Sequence, residues 1–230
     1  MNQIPRKHRR RRRWVVLISI SLLVGAAYLL GWSNVFSVKN VVVLGAPSAS
    51  EALLIKNSIP IGEKLARMES KQLNSTLEGF PWLARSGVSA NWLNGVVTVH
   101  VWTRNPVAII DSKLIDETGK IFDLPGYSYH GLPSVIAPTS AARLFAAKLV
   151  VDLPQQLRAS LVTITTVGNH SARLVVTESS FVPPRSITII WGDSSDNELK
   201  GRVYQSLIAL PENKKVSLVD VSAPHAPIVK

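Results

Sequence analysis

The chain has 230 residues, no cysteine, and 26 Lys and Arg against 15 Asp and Glu, a formal net charge of +11. A hydrophobic share of 46% with only 18% charged residues excludes a disordered, collagen-like or coiled-coil chain. The absence of cysteine excludes disulfide frameworks, thiolate zinc sites and cysteine nucleophiles. A charge of this size ordinarily points to nucleic acid or an anionic membrane, and its distribution along the chain decides between them.

Seven cations lie in the first 13 residues: Arg6, Lys7, Arg9, Arg10, Arg11, Arg12 and Arg13. They leave 19 basic against 15 acidic residues, a net +4, over 14–230. Directly after them, residues 14–32 carry no charge and are bracketed by Trp14 and Trp32. A helix needs about 20 apolar residues to cross a bilayer, and tryptophans anchor such helices at the interface. A buried core helix would carry some polar face and would not abut seven cations. The stretch is longer than the roughly 7–15 apolar residues of a signal peptide, and 31–36 offers no small-x-small cleavage site. The sequence therefore predicts an uncleaved single span over 14–32 in the plasma (inner) membrane. Arg9 to Arg13 act as the topology signal that holds the tail 1–13 in the cytoplasm, and 33–230 lie outside. The basic run lacks the interleaved aromatics of a nucleic-acid arm, so lipid headgroups are its expected contact and nucleic acid is not.

The next segment, about 35–103, reads as β-α-α-β-β. The β-branched run 36–45 is a strand ended by Gly45. Ser48-Ala-Ser-Glu51 forms a capping box that opens a helix before Pro60. A second helix covers about 69–77, with Leu73 and Leu77 on one face. Strands 84–92 and 96–102 flank Asn94-Gly95, a two-residue hairpin signal. The result is a small sheet with two helices on one face.

From Pro106 onward, 107–111, 114–116 and 120–122 are short strands. A helix covers about 140–151, and 161–167, 173–177 and 187–191 form an antiparallel meander. Ser195-Asp-Asn-Glu198 is another capping box, opening a helix with Leu199, Val203, Leu207 and Leu210 on one stripe. A last strand at 215–221 precedes a tail holding Pro224 and Pro227. The fold class is α+β: one transmembrane helix, then two exported domains, the second an antiparallel sheet with flanking helices. The expected domain limits are 33–104, 105–222 and a tail at 223–230.

Nothing in the pattern points to catalysis. His8, His100, His130, His170 and His225 are never within helical spacing, so no metal-binding pair arises. There is no G-x-S-x-G and no phosphate-binding loop. Asp116 and Glu117 are adjacent within a turn signal. No enzyme activity, cofactor or metal is expected.

Several local patterns, in order and spacing over about 190 residues, resemble single-span bacterial cell-division proteins of the FtsQ/DivIB family. These are Phe36-Ser-Val-Lys-Asn-Val-Val-Val-Leu-Gly45, Leu77-Glu-Gly-Phe-Pro-Trp82, Arg104-Asn-Pro-Val-Ala108 and Leu114-Ile-Asp-Glu-Thr-Gly-Lys-Ile-Phe122. Asp193 to Lys200, followed by Leu218-Val-Asp-Val-Ser-Ala-Pro224, completes the series. Thr103 stands where that family usually has glutamate. Leu93-Asn-Gly95 replaces its common hairpin proline, which implies a tighter turn. The resemblance implies that 33–104 is a POTRA domain and 105–222 a β domain. It further implies a non-catalytic scaffold at the division septum that binds FtsB and FtsL and helps regulate septal peptidoglycan synthesis. The alternative is a POTRA-containing translocation or outer-membrane assembly component, which would usually carry repeated POTRA units or barrel strands. Sheet edges can accept a partner's strand, and the resemblance assigns partner binding to Val216, Leu218, Val219, Asp220 and Val221, flanked by Lys200 and Tyr204.

Overall fold

The computed structural model describes residues 6–31, 34–66, 75–179 and 183–230, and within the first helix the side chains of 12–28. The chain divides into two compact units, Met1–Thr103 and Arg104–Lys230.

The first unit begins with α1, Arg6–Gly31. Every described side chain from Arg12 to Tyr28 is exposed, Trp14 at 66% and Leu22 at 70% among them. Among the described residues no helix is long and apolar enough to cross a membrane. The expected span over 14–32 extends past the described side chains, and Trp32, like the side chains of Arg9, Arg10 and Arg11, lies outside them. A 3-10 turn, Asn34–Phe36, leads into β1, Asn40–Leu44. Helix α2, Ala49–Asn57, follows, then strands β2, Leu83–Asn91, and β3, Val96–Thr103. The sheet order is β1-β3-β2, with β1 parallel and β2 antiparallel to β3. Alternation on β3 puts Val97, Val99 and Val101 into the core with Val41, Ile55, Leu77 and Trp82. The second expected helix, 69–77, falls mostly outside the described residues; 75–77 are helical.

Two local expectations are refined. At α2 half of the capping box forms: Ser48 Oγ accepts the Glu51 N–H at 3.3 Å. The Glu51 carboxylate instead accepts Trp82 Nε1–H at 3.0 Å, tying helix to sheet. The β2–β3 connection is a four-residue loop over 92–95 rather than a tight two-residue turn, because Asn91 pairs with Val96 and its carbonyl accepts the Gly95 N–H at 2.9 Å. Gly95 sits at φ +70°, and a Cβ there would lie 2.5 Å from the Ser37 carbonyl oxygen, so glycine is required twice over.

The second unit holds one sheet of nine strands among the described residues, in the order β12-β11-β10-β9-β8-β7-β4-β5-β6. Its strands are β4 Pro106–Ile110, β5 Lys113–Asp116, β6 Ile121–Phe122, β7 Ser134–Ile136, β8 Leu161–Val167, β9 Ser171–Glu178, β10 Arg185–Gly192, β11 Leu218–Asp220 and β12 Ile228–Val229. Helices α3, Ser140–Asp152, and α4, Gln155–Ser160, join β7 to β8; α5, Asn197–Ala209, joins β10 to β11. The expected all-antiparallel sheet is therefore mixed: β4–β7, β7–β8 and β10–β11 are parallel. Parallel neighbours need a long crossover, and the helical segments supply it for the last two pairs. Inward-facing Ile164, Leu174, Val176, Ile187, Ile189 and Trp191 pack against Ala146, Leu149, Val150, Leu157 and Tyr204 of the helices.

At the entrance to this unit, two of the sequence patterns meet. Arg104 Nη1 donates to Asp116 Oδ2 at 2.6 Å, with both side chains largely buried. Asp116 Oδ1 accepts from the Thr118 hydroxyl and from the N–H groups of Thr118 and Lys120. Burial alone would raise the Asp116 pKa, but these hydrogen bonds and the guanidinium outweigh it and hold it below the ordinary value. The carboxylate thus fixes the β5–β6 turn and fastens it to the start of β4. Arg104→Ala is expected to cost about 3 kcal/mol by stranding that carboxylate. Because the folded pKa lies below the unfolded one, the stabilisation is complete above about pH 4 and lost as pH falls further. Denaturation curves at several pH values should show this acid loss shrinking in the Arg104→Ala variant.

Candidate functional site

The second unit ends in a layered arrangement of α5, β10, β11 and β12. Its geometry starts where β10 gives way to α5. Asp193 Oδ1 accepts the Ser195 N–H at 3.1 Å and the Ser195 hydroxyl at 2.6 Å, closing a turn. The expected capping box of Ser195 and Glu198 is therefore absent. The carboxylate two residues earlier takes the serine, and Asp196 stands at the N-cap in the left-handed region without a side-chain cap bond. Lys200, one turn into α5, has no solvent exposure and donates from Nζ to Asp193 Oδ1 at 2.8 Å and to the Asp193 carbonyl at 2.9 Å. Its bond, then those of Ser195, hold the Asp193 carboxyl far below its usual range. Beside it Trp191 Nε1 donates to Asn197 Oδ1 at 2.8 Å.

Further along α5, Tyr204 is 1% exposed and its hydroxyl donates to Glu178 Oε1 of β9 at 2.8 Å. Burial first, and the Glu178 carboxylate second, push the phenol pKa above its ordinary value, so it stays a donor at any physiological pH. Gly201 lets the helix close onto the α3–α4 junction: a Cβ would lie 2.7 Å from Pro154 Cγ. Between α4, α5 and β9 remains an open cleft of about 910 Å³, lined by Leu157, Ser160, Thr177, Glu178, Tyr204 and Ile208 among others. Among the described residues no group of three His, Asp or Glu could hold a metal ion.

Beyond α5, β11 pairs parallel to β10 through Leu218, Val219 and Asp220. The strand is shorter than the expected 215–221, and it is not the sheet edge. Asp220 Oδ1 accepts the Ser222 N–H at 2.9 Å and its hydroxyl at 2.6 Å, which turns the chain. Ala226 N–H then bonds the Ala223 carbonyl at 2.9 Å, and the chain returns as β12, antiparallel to β11. The two prolines redirect the tail back onto β11 instead of ending the sheet there. Leu218 and Lys230 exchange both backbone bonds, at 3.0 and 2.9 Å. In an antiparallel ladder the next residue faces the other way, so the N–H and C=O of Val229 point outward from the sheet.

The sequence-predicted residues thus converge on one end of one sheet, but in different environments. Lys200, Tyr204, Val219 and Val221 are buried, and their side chains hold the arrangement together. Val216, Leu218 and Asp220 are partly exposed. The edge itself, Ile228 and Val229, lies within the expected tail 223–230; the β-branched pair after Pro227 is the signal that marks it.

Compared with known families, residues 100–222 match the model for the C-terminal region of cell division protein FtsQ/DivIB. The match covers more than half of the chain, from within β3 to just past β11, and the chain belongs to this family of cell-division proteins. No curated protein matches the chain.

The buried pair at the β10–α5 turn makes an asymmetric prediction. Asp193→Ala leaves a wholly buried ammonium with one carbonyl partner and should cost about 2 kcal/mol. Lys200→Met leaves a carboxylate whose side chain is 62% exposed and freely hydrated, so the loss should be clearly smaller. Urea denaturation of the two variants beside the parent chain ranks them.

Proposed function

We propose that the chain is a non-catalytic, single-span scaffold of the bacterial divisome, carrying a POTRA domain at 33–104 and a partner-binding β domain at 105–222. The family match over 100–222 carries this reading. Supporting the span is the uncharged stretch 14–28 of α1, whose largely apolar side chains are exposed on every face and would otherwise contact water. Supporting the POTRA assignment are the β1-β3-β2 sheet and its helix α2. The tail 1–13 lies in the cytoplasm, Trp14 and Trp32 sit at the two interfaces, and the exported units act at the septum in regulating peptidoglycan synthesis.

Docking of the FtsB and FtsL partners occurs by strand addition at the β12 edge, where main-chain groups supply affinity and neighbouring side chains supply selectivity. Val216, Leu218 and Asp220 flank that edge. Lys200, Tyr204, Val219 and Val221 act on the partner indirectly, by holding β11 in register.

Two outcomes follow. A fluorescent fusion of the full chain should concentrate at midcell in dividing cells; a uniform peripheral signal would remove the division scaffold reading. Val229→Pro deletes an outward N–H without touching the Leu218–Lys230 bonds, a position where an edge strand tolerates proline. It should lower the unfolding midpoint only modestly, since the Val229 side chain is partly buried against the core, while capture of FtsB falls at least about tenfold, the equivalent of one charge-free hydrogen bond plus the steric block.

A further inference from the structure

We infer that the β2–β3 hairpin tip is a lipid-contacting wedge that seats the first exported unit on the outer face of the bilayer; this rests on α1 spanning the membrane. Three observations carry it. The loop over 92–95 presents Leu93 at 90% exposure and Trp92 at 41%, apolar surface that nothing among the described residues covers. The Trp92 ring lies 6.3 Å from that of Phe36, and Lys39 N–H bonds the Gly95 carbonyl at 2.8 Å, so the tip is fastened to the segment that leaves α1. The chain from Gly31, the last residue of α1, to Phe36 is five residues, a reach of at most about 17 Å.

A bilayer's interfacial layer adds about 5–8 Å beyond the hydrocarbon on each side, and tryptophan prefers that layer. A tip tethered this closely to the end of a span therefore meets lipid before it meets any other surface. The neighbouring segments suit the same contact. Val35 is 56% exposed and Ile61 66%, and the loop that bears Ile61 is bonded to this entry segment through Gly62 N–H to the Val38 carbonyl at 2.8 Å. Lys39 and Lys64 flank the segment against the single Glu63, a balance that favours anionic headgroups. Four-residue geometry matters here: a two-residue turn at Asn94-Gly95 would have left Trp92 and Leu93 in strands.

The chain has no cysteine, so single introduced cysteines report cleanly. An environment-sensitive fluorophore is attached in the full chain at Leu93→Cys, at Val24→Cys inside α1, and at the exposed Ala84→Cys at the far end of β2. The chain is reconstituted into phosphatidylcholine–phosphatidylglycerol vesicles with and without nitroxide-bearing lipid. The inference expects blue-shifted, quenched emission at 24 and 93 and aqueous, unquenched emission at 84. It also expects a label at Asn94→Cys to lose its quenching when Leu93→Asp is added. Quenching at 24 with 93 as aqueous as 84 overturns the wedge and leaves the span standing. No quenching at 24 removes the span and the wedge with it. A label at 93 that is shielded only when another protein is added makes the tip a protein-docking site and overturns the lipid assignment.

Discussion

The buried ammonium of Lys200 is the constraint on which the α5–β12 end of the second unit depends. A lysine without solvent contact is stable only where its charge is matched and its donors are used. Asp193 supplies both a carboxylate and a carbonyl oxygen, so α5 can start only where the β10 turn places them. That start fixes the crossover, the crossover fixes β11 parallel to β10, and β11 is the template on which β12 folds back. Tyr204 and Glu178 secure the middle of the same helix to β9, and Trp191 with Asn197 secures its beginning. Hydrophobic burial of Val219 and Val221 then supplies the bulk of the adhesion.

Much of this was legible in the residues. Alternating β-branched runs marked β8, β9 and β10 to within two residues at most ends, because each is half-buried and carries a period of two. The 140–151 helix and the Ser48 half of the first capping box were equally readable. What escaped the reading is long-range or competitive. Parallel pairing of β4, β7 and β8 unites strands separated by hairpins and helices, and no local pattern encodes it. Ser195 met every criterion for a cap, yet a carboxylate two residues upstream binds it first.

The candidate site shows the same division. The segment 216–221 is marked by family resemblance, and two of its side chains, Val219 and Val221, are core. The resemblance sets Lys200 and Tyr204 of α5 beside that segment; both are buried, and each directs its polar atoms to an acidic residue of the same unit. The edge went unread because Pro224 and Pro227 signal a stop, whereas here they bend the chain so that Ile228 and Val229 return to the sheet. A strand of two residues is below what periodicity can detect.

The proposed partner binding thus uses main-chain groups at the end of a sheet whose register is set by buried polar contacts. Amide hydrogen exchange of the full chain, with and without the proposed partner FtsB, tests this most directly. Val229 should exchange freely alone and become protected on binding, while the amides of β10 and β11 remain protected throughout. Protection that arises instead at β6 or at an edge of the three-stranded sheet, with Val229 unchanged, would contradict it.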